Sequence, residues 1–339
     1  MQRVWFNKTF SSVGAAIRLI READRTGEYE IVCSSTNAHA AVFLAAQESA
    51  LEPGGLKGLD YLDWCLKFCA TQRIGIFIPG KEAALISGER ARFEEQGTRV
   101  MSVASQDTLD LLHNKARFYE TVVCSAPTAA FRVVETAQQF DEAWYELKKD
   151  HAKLCIKPSV SVYGLGFAVI DEERSNAQLL LEGVQHHIGL DDLRRGFGAM
   201  ETFRPMLLME YLDGPEFSVD CLGDNGRLVC AIVRKKSLVV GQGQLIELRD
   251  DIFESSRQLT ETYSLNGVFN VQFREGQNGL GLLEINPRMS GGIGMACLAG
   301  PNLPYLALVG FDRGHDTLAV SEVQAGLRVG EIAFAMEMP

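Results

Sequence analysis

Near the end of the chain, residues 282–294 read LLEINPRMSGGIG. Leu283 and Ile285 alternate with Glu284 and Asn286, and Arg288 follows at the same spacing. In a strand, this places a carboxylate, an amide and a guanidinium on one face and aliphatic side chains on the other. Upstream, FNVQF sets Phe269, Val271 and Phe273 against Asn270 and Gln272 in the same way. A polar, glycine-containing stretch, 274–281, separates the two runs and predicts a hairpin. Gln272, Glu284 and Asn286 then share a face. Their oxygens are hard donors of the kind magnesium accepts alongside water and nucleotide phosphates. Arg288 adds a planar fork suited to a phosphate or a carboxylate. A solvated polar face on an edge hairpin gives the same alternation, and spacing alone does not separate the two.

Other stretches suggest chemistry less well. GIFIPGKE, 75–82, is one residue from a phosphate-binding P-loop, but Glu82 stands where a hydroxyl should meet magnesium. Strand, turn and helix start is the better account. YGLGF (163–167) and GGIG (291–294) lack the dinucleotide fingerprint. His186 and His187 fall in a polar, helix-like stretch with no other metal ligand nearby. No serine nucleophile elbow or HExxH zinc motif is present.

The elements that must position these residues change character along the chain. Apolar strands at 4–7, 29–35, 73–80 and 98–103 alternate with helical patterns at 12–24, 59–72 and 82–97. That alternation predicts a doubly wound α/β domain with a parallel sheet over 1–105. Further on, strand pairs stand beside helices without regular alternation, which predicts an α+β half with antiparallel sheets. The strongest local signal is a hairpin, 215–236, with Asp224, Asn225 and Gly226 in the turn. At 339 residues the chain exceeds one ordinary core. Its net charge of −11 argues against a nucleic-acid or anionic-membrane surface. Eight scattered cysteines without a CxxC pair predict small core residues in a reducing compartment. No signal peptide or membrane span is evident, and the expectation is a cytoplasmic protein.

The run GVFNVQFR…GLLEINPRMSGG closely resembles the magnesium-binding end of the ATP-grasp superfamily, which includes carbamoyl phosphate synthetase, biotin carboxylase and D-alanine–D-alanine ligase. Other landmarks follow in the family's order. HNKARFYE (113–120) is similar to the segment with the first nucleotide-binding lysine, and LCIKPSVSVYGLGF (154–167) to the strand with the second lysine and the mobile glycine loop. LLMEYLDGPEFSVD (207–220) resembles the hinge that holds adenine. The resemblance covers about residues 105 to 305. It implies a pre-ATP-grasp α/β domain (1–105), an ATP-grasp N-terminal lid subdomain (106–205) and a C-terminal subdomain (206–339) with hinge, metal and substrate site. A weaker resemblance points to ATP-grasp proteins associated with tellurium-resistance operons.

What the resemblance implies for individual residues is specific. Lys115 and Lys157 bind phosphates, and Tyr163, Gly164 and Gly166 form the covering loop. Glu210, Tyr211 and Leu212 hold adenine through backbone groups, with Glu216 near the ribose. Gln272, Glu284 and Asn286 hold Mg²⁺, for which Mn²⁺ can substitute. Arg288, Lys157 and Arg234 face the transferred group. ATP brings about four negative charges, so an acidic chain needs such local cations. The implied activity is an ATP-dependent ligase joining a small-molecule carboxylate to an amine through an acyl phosphate, and relatives commonly form homodimers. MSGGIGMACLAG reads as a glycine turn feeding a helix whose N–H groups can bind the substrate carboxylate. The basic stretch 233–244 lies beside the second substrate or is a solvated loop. The loop SVSVYGLG carries Val and Tyr where many relatives have a more polar run, which keeps a second expectation open: an ATP-binding or scaffold protein with little turnover.

Overall fold

The computed structural model describes residues 1–339 except 8–10, 162–164, 238, 240, 333, 334, 336, 338 and 339, and the side chain of Ser11. Tyr163 and Gly164 therefore lie outside the described residues. The first part of the chain forms β1 (Gln2–Phe6), α1 (Ser11–Ala23), β2 (Tyr29–Ser35), β3 (Glu48–Leu51), α2 (Gly58–Gln72), β4 (Ile76–Ile78), α3 (Ala83–Gly88), α4 (Arg90–Glu94), β5 (Arg99–Val100) and α5 (Gln106–His113). The strands make a parallel sheet in the order β3-β2-β1-β4-β5. Its two faces follow the strand alternation. Val4, Phe6, Ile31, Cys33 and Ile76 enter one buried cluster, whereas Trp5, Val32 and Phe77 enter another with Tyr61, Leu62 and Phe93. Both faces are covered, as a doubly wound sheet requires.

Two local expectations needed revision. The helical pattern at 82–97 is two short helices, because Gly88 is a poor helix former and Glu89 leaves helical geometry at φ −98°, ψ 15°. β3 is an edge strand whose residues are exposed or half-buried, so no apolar run announces it.

The chain continues as α6 (Lys115–Thr121), β6 (Phe131–Val134), α7 (Ala137–Leu147), β7 (Leu154–Pro158), β8 (Ala168–Asp171), α8 (Asn176–Leu181), β9 (His187–Gly189), α9 (Leu190–Gly198) and β10 (Met206–Glu210). The sheet order is β6-β10-β7-β8-β9, antiparallel except between β8 and β9. Phe140, Trp144, Ile156, Leu193 and Leu208 lie in its core. His187 starts a strand and His186 sits at φ 57°, so this pair is not in a helix.

The third stretch comprises β11 (Glu216–Asp224), β12 (Arg227–Lys236), β13 (Gln244–Glu247), α10 (Asp250–Thr262), β14 (Gly267–Gly276), β15 (Gly279–Asn286), α11 (Ile293–Cys297), α12 (Leu303–Arg313) and β16 (Arg328–Val329). Six strands pair in the order β15-β14-β11-β12-β13-β16. Asn225 and Gly226 have φ of 46° and 97°, the pair of positive values that a two-residue hairpin turn demands.

Packing divides the chain into two compact units. One contains Met1–Asp110, Pro215–Phe273 and Glu284–Pro339; the other contains Leu111–Gly214 and Arg274–Leu283. In the first unit, Val4, Ile17 and Ile31 share a buried cluster with Leu222, Ile232, Ile246, Ile293 and Leu308. One face of the sheet of residues 1–105 thus shares its core with the C-terminal part.

Candidate active site

In the second unit, Asn114 caps α6 by accepting the Arg117 N–H. This opens the helix at Lys115, whose backbone N–H bonds the Ser159 carbonyl at 2.8 Å. Its ammonium reaches the Ser161 carbonyl at 2.9 Å. Lys115 therefore holds the start of the loop that follows β7. Lys157 lies on β7 opposite Leu207 of β10. Its ammonium donates to the Tyr119 hydroxyl at 3.0 Å and lies 5.0 Å from the centre of that ring. Gly166, at φ 82°, closes the described end of the loop. A Cβ there would come within 2.8 Å of Pro158, so glycine is required for both conformation and approach.

The hinge follows β10. The N–H groups of Glu210 and Tyr211 bond the carbonyls of Ala130 and Lys153, both at 2.9 Å. The Glu210 carboxylate lies 3.4 Å from both His151 Nδ1 and the Ala130 N–H. Tyr211 accepts at its hydroxyl from Arg274, whose guanidinium sits 5.0 Å over the ring. Leu212 is buried, and Gly276 and Gly281 lack the Cβ that would collide with it. The outer part of the β14–β15 hairpin therefore packs on the hinge.

In the first unit, β15 brings Glu284, Asn286 and Arg288 together, all half-buried. Asn286 Nδ2 donates to Glu284 Oε1 at 2.9 Å, and Arg288 donates to Asn286 Oδ1 at 3.3 Å. Ile285, between them, is buried. On β14, Phe269, Val271 and Phe273 are fully buried and Gln272 is half-buried. Asn270 is also buried, donating to Ser218 Oγ and to the Val219 carbonyl, each at 3.0 Å. It is buried against β11, whereas Gln272, two residues on, is half-buried. Glu216, at the start of β11, is ion-paired with Lys236.

Among the described residues no three His, Cys, Asp or Glu side chains cluster as a metal site. The candidate set instead has one carboxylate and two amide oxygens. This suits a hard divalent cation that keeps waters and shares phosphate oxygens, since such an ion needs few protein charges.

Arg234 does not sit as the expected cation facing a transferred group. It is 2% exposed, and its partner Asp220 is fully buried. Asp220 Oδ2 accepts from Nε at 2.9 Å and from Nη2 at 2.7 Å. Ser218, Ser290 and Gln244 take further donors. The guanidinium also lies against Gly292, where a Cβ would be 2.8 Å from Cζ. Of the glycines after Arg288, Gly292 thus admits an internal guanidinium, and the helix they feed, α11, is a single turn whose dipole is small. Asp220 had a sequence signal: in SVD of β11, Ser218 and Asp220 alternate on an otherwise apolar strand. The hydroxyl of Tyr119 had none.

The basic stretch at the end of β12 borders a cavity of about 350 Å³, lined by Pro215, Lys235, Lys236, Ser237, Gln242 and Arg328 among others. Lys81 of the P-loop-like stretch pairs with the buried Glu52 at 3.2 Å, which removes it as a phosphate ligand. All eight cysteines are unpaired and seven are buried. Burial pushes the Cys33 and Cys155 thiols up to about 12 and that of Cys230 to about 11, so none is a thiolate nucleophile.

Residues 202–335 match the model of a family described as ATP-grasp in the biosynthetic pathway with Ter operon. The match makes this segment similar to an ATP-grasp family, and the solved structures that follow share the fold of the chain. Among solved structures, the ADP complex of N5-carboxyaminoimidazole ribonucleotide synthetase superposes with a TM-score of 0.67 at 15% identity, covering 96% of this chain and 79% of that one. An L-amino acid ligase from Bacillus licheniformis gives 0.62 at 14% identity, covering 91% and 74%. Among curated proteins, the arginine-specific large chain of carbamoyl phosphate synthase from Halalkalibacterium halodurans is 24% identical over 210 residues, 58% of this chain and 18% of that protein. The chain thus spans about a fifth of the length of the curated relatives it matches.

Proposed function

We propose that the chain is an ATP-dependent ligase that joins a small-molecule carboxylate to an amine, releasing ADP and phosphate. The observation that supports it most is the bonded row of Glu284 and Asn286 at the end of β15 with Arg288 just beyond it, inside the segment that matches the family. A carboxylate that attacks the γ-phosphate becomes an acyl phosphate, and an amine then displaces phosphate through a tetrahedral intermediate. Such chemistry rests on positioning and charge neutralisation. It needs no serine or cysteine nucleophile.

In this reading Lys115 and Lys157 neutralise phosphates, and Arg288 stabilises the transferred group. The engaged N–H groups of Glu210 and Tyr211 leave adenine recognition to the Glu210 carbonyl and the Leu212 N–H. Glu284, Asn286 and Gln272 would hold magnesium, which supplies charge neutralisation at the phosphate oxygens. Glu216 can meet a ribose only by sharing or leaving Lys236. No helix among the described residues is long and apolar enough to cross a membrane.

The test is an ADP-release screen over carboxylate and amine libraries, with hydroxylamine as a surrogate nucleophile that traps an acyl phosphate as a hydroxamate. Carboxylate-dependent ADP release with hydroxamate formation is the expected result. Stoichiometric ATP binding without ADP release across the panel would instead favour a nucleotide-binding protein without turnover.

A further inference from the structure

Tyr119, on α6, is 4% exposed. Its hydroxyl accepts from the Lys157 ammonium at 3.0 Å and donates to the backbone carbonyl of Leu283. Leu283 is the residue before Glu284 on β15. The ring is held edge-on by Phe131, with centroids 5.3 Å apart, and lies 5.9 Å from Phe118. One buried hydroxyl therefore joins Lys157 to the backbone of β15 at Leu283.

From this geometry we infer that Tyr119 is a positioning residue of the nucleotide site, fixing the ammonium of Lys157 and the backbone carbonyl of Leu283. The inference rests on the nucleotide reading proposed above. A lysine stem is long and loses much rotamer freedom when its ammonium is confined, so a fixed acceptor removes that cost before the phosphate arrives. The carbonyl of Leu283 lies in the peptide plane that leads into Glu284. A bond to that oxygen limits rotation of the plane and hence the direction of the carboxylate stem. Tyr119 touches neither phosphate nor metal in this account; it acts through the two groups that do.

The experiment is calorimetric titration of the full chain with MgATP, with melting temperatures measured in parallel. Tyr119→Phe keeps the ring and removes both hydrogen bonds. The expected result is a rise in Kd for MgATP of about tenfold, the scale of one charge-assisted hydrogen bond. In a Lys157→Ala background the same change should raise Kd by clearly less than it does in the wild type, because one of the two groups through which it acts is gone. Phe131→Leu loosens the ring that carries the hydroxyl but keeps both hydrogen bonds, and should raise Kd by clearly less than Tyr119→Phe does. Wild-type affinity in Tyr119→Phe, its full effect in the Lys157→Ala background, or an equal loss in Phe131→Leu would each overturn the inference while the nucleotide reading stands. A wild-type chain that does not bind MgATP would overturn both.

Discussion

The buried Arg234–Asp220 pair offers the sharpest quantitative test of the first unit. Asp220 has no exposed surface and takes two of the guanidinium donors on one oxygen. Asp220→Leu leaves a charged guanidinium buried without its counter-charge, and Arg234→Met does the same to a carboxylate. Removing one partner of a buried pair costs about 3–5 kcal/mol. At about 2–4 °C per kcal/mol for a domain of 150–250 residues, each single variant should melt ~6–20 °C below the wild type. The double variant loses the attraction and the two desolvation penalties together. It also leaves Ser218, Ser290 and Gln244 short of a partner, so its melting temperature should return only part of the way. The assay is thermal unfolding by circular dichroism, with the three variants compared in one buffer. Single variants that melt with the wild type would refute the account. So would a double variant whose loss equals the sum of the singles, since that would show no coupling.

Three further outcomes follow from the structure. Glu284→Ala and Asn286→Ala should each lower ADP release by about a hundredfold or more with melting temperature nearly unchanged, since both side chains are half-buried and lie at a strand end; normal turnover in both would remove the metal assignment. Lys157→Ala should raise the Kd for ATP by about tenfold or more in a filter or calorimetric assay, and an unchanged affinity would count against its phosphate role. The His315 side chain is 6% exposed, with Nε2 unpartnered among the described residues; burial, assisted by Arg227, holds its pKa below the ordinary histidine value, although Asp224 and Asp316 pull upward. The unfolded chain therefore takes up this proton more readily, and His315 contributes a loss of stability as pH falls through about 6.5, which His315→Gln should remove from a pH series of melting temperatures.

Much of the fold was legible from local pattern. β2 runs over Tyr29–Ser35, where an unbroken apolar strand was expected, and the Asn225–Gly226 turn closes its hairpin as its residue types require. The alternation in LLEINPR likewise places Glu284 and Asn286 together, because a strand of period two can do nothing else while Ile285 is buried. Edge strand β3 escaped because an edge needs only one hydrogen-bonding neighbour and little apolar surface.

By itself, then, the sequence determined the periodicities, the turn and the row of polar groups on β15, all of which depend on residues a few positions apart. Partnership across the chain was a matter for the tertiary structure. Arg234 reads as an available cation until Asp220, Ser218 and Ser290 are seen to surround it. Tyr119 is unremarked until folding brings its hydroxyl to Lys157 and Leu283, residues 38 and 164 positions away. Nor could the apolar stripes of the first hundred residues say that their partners lie beyond residue 215. A side chain's type sets which bonds it can form, but burial and the identity of its partner decide whether it serves the reaction or the core.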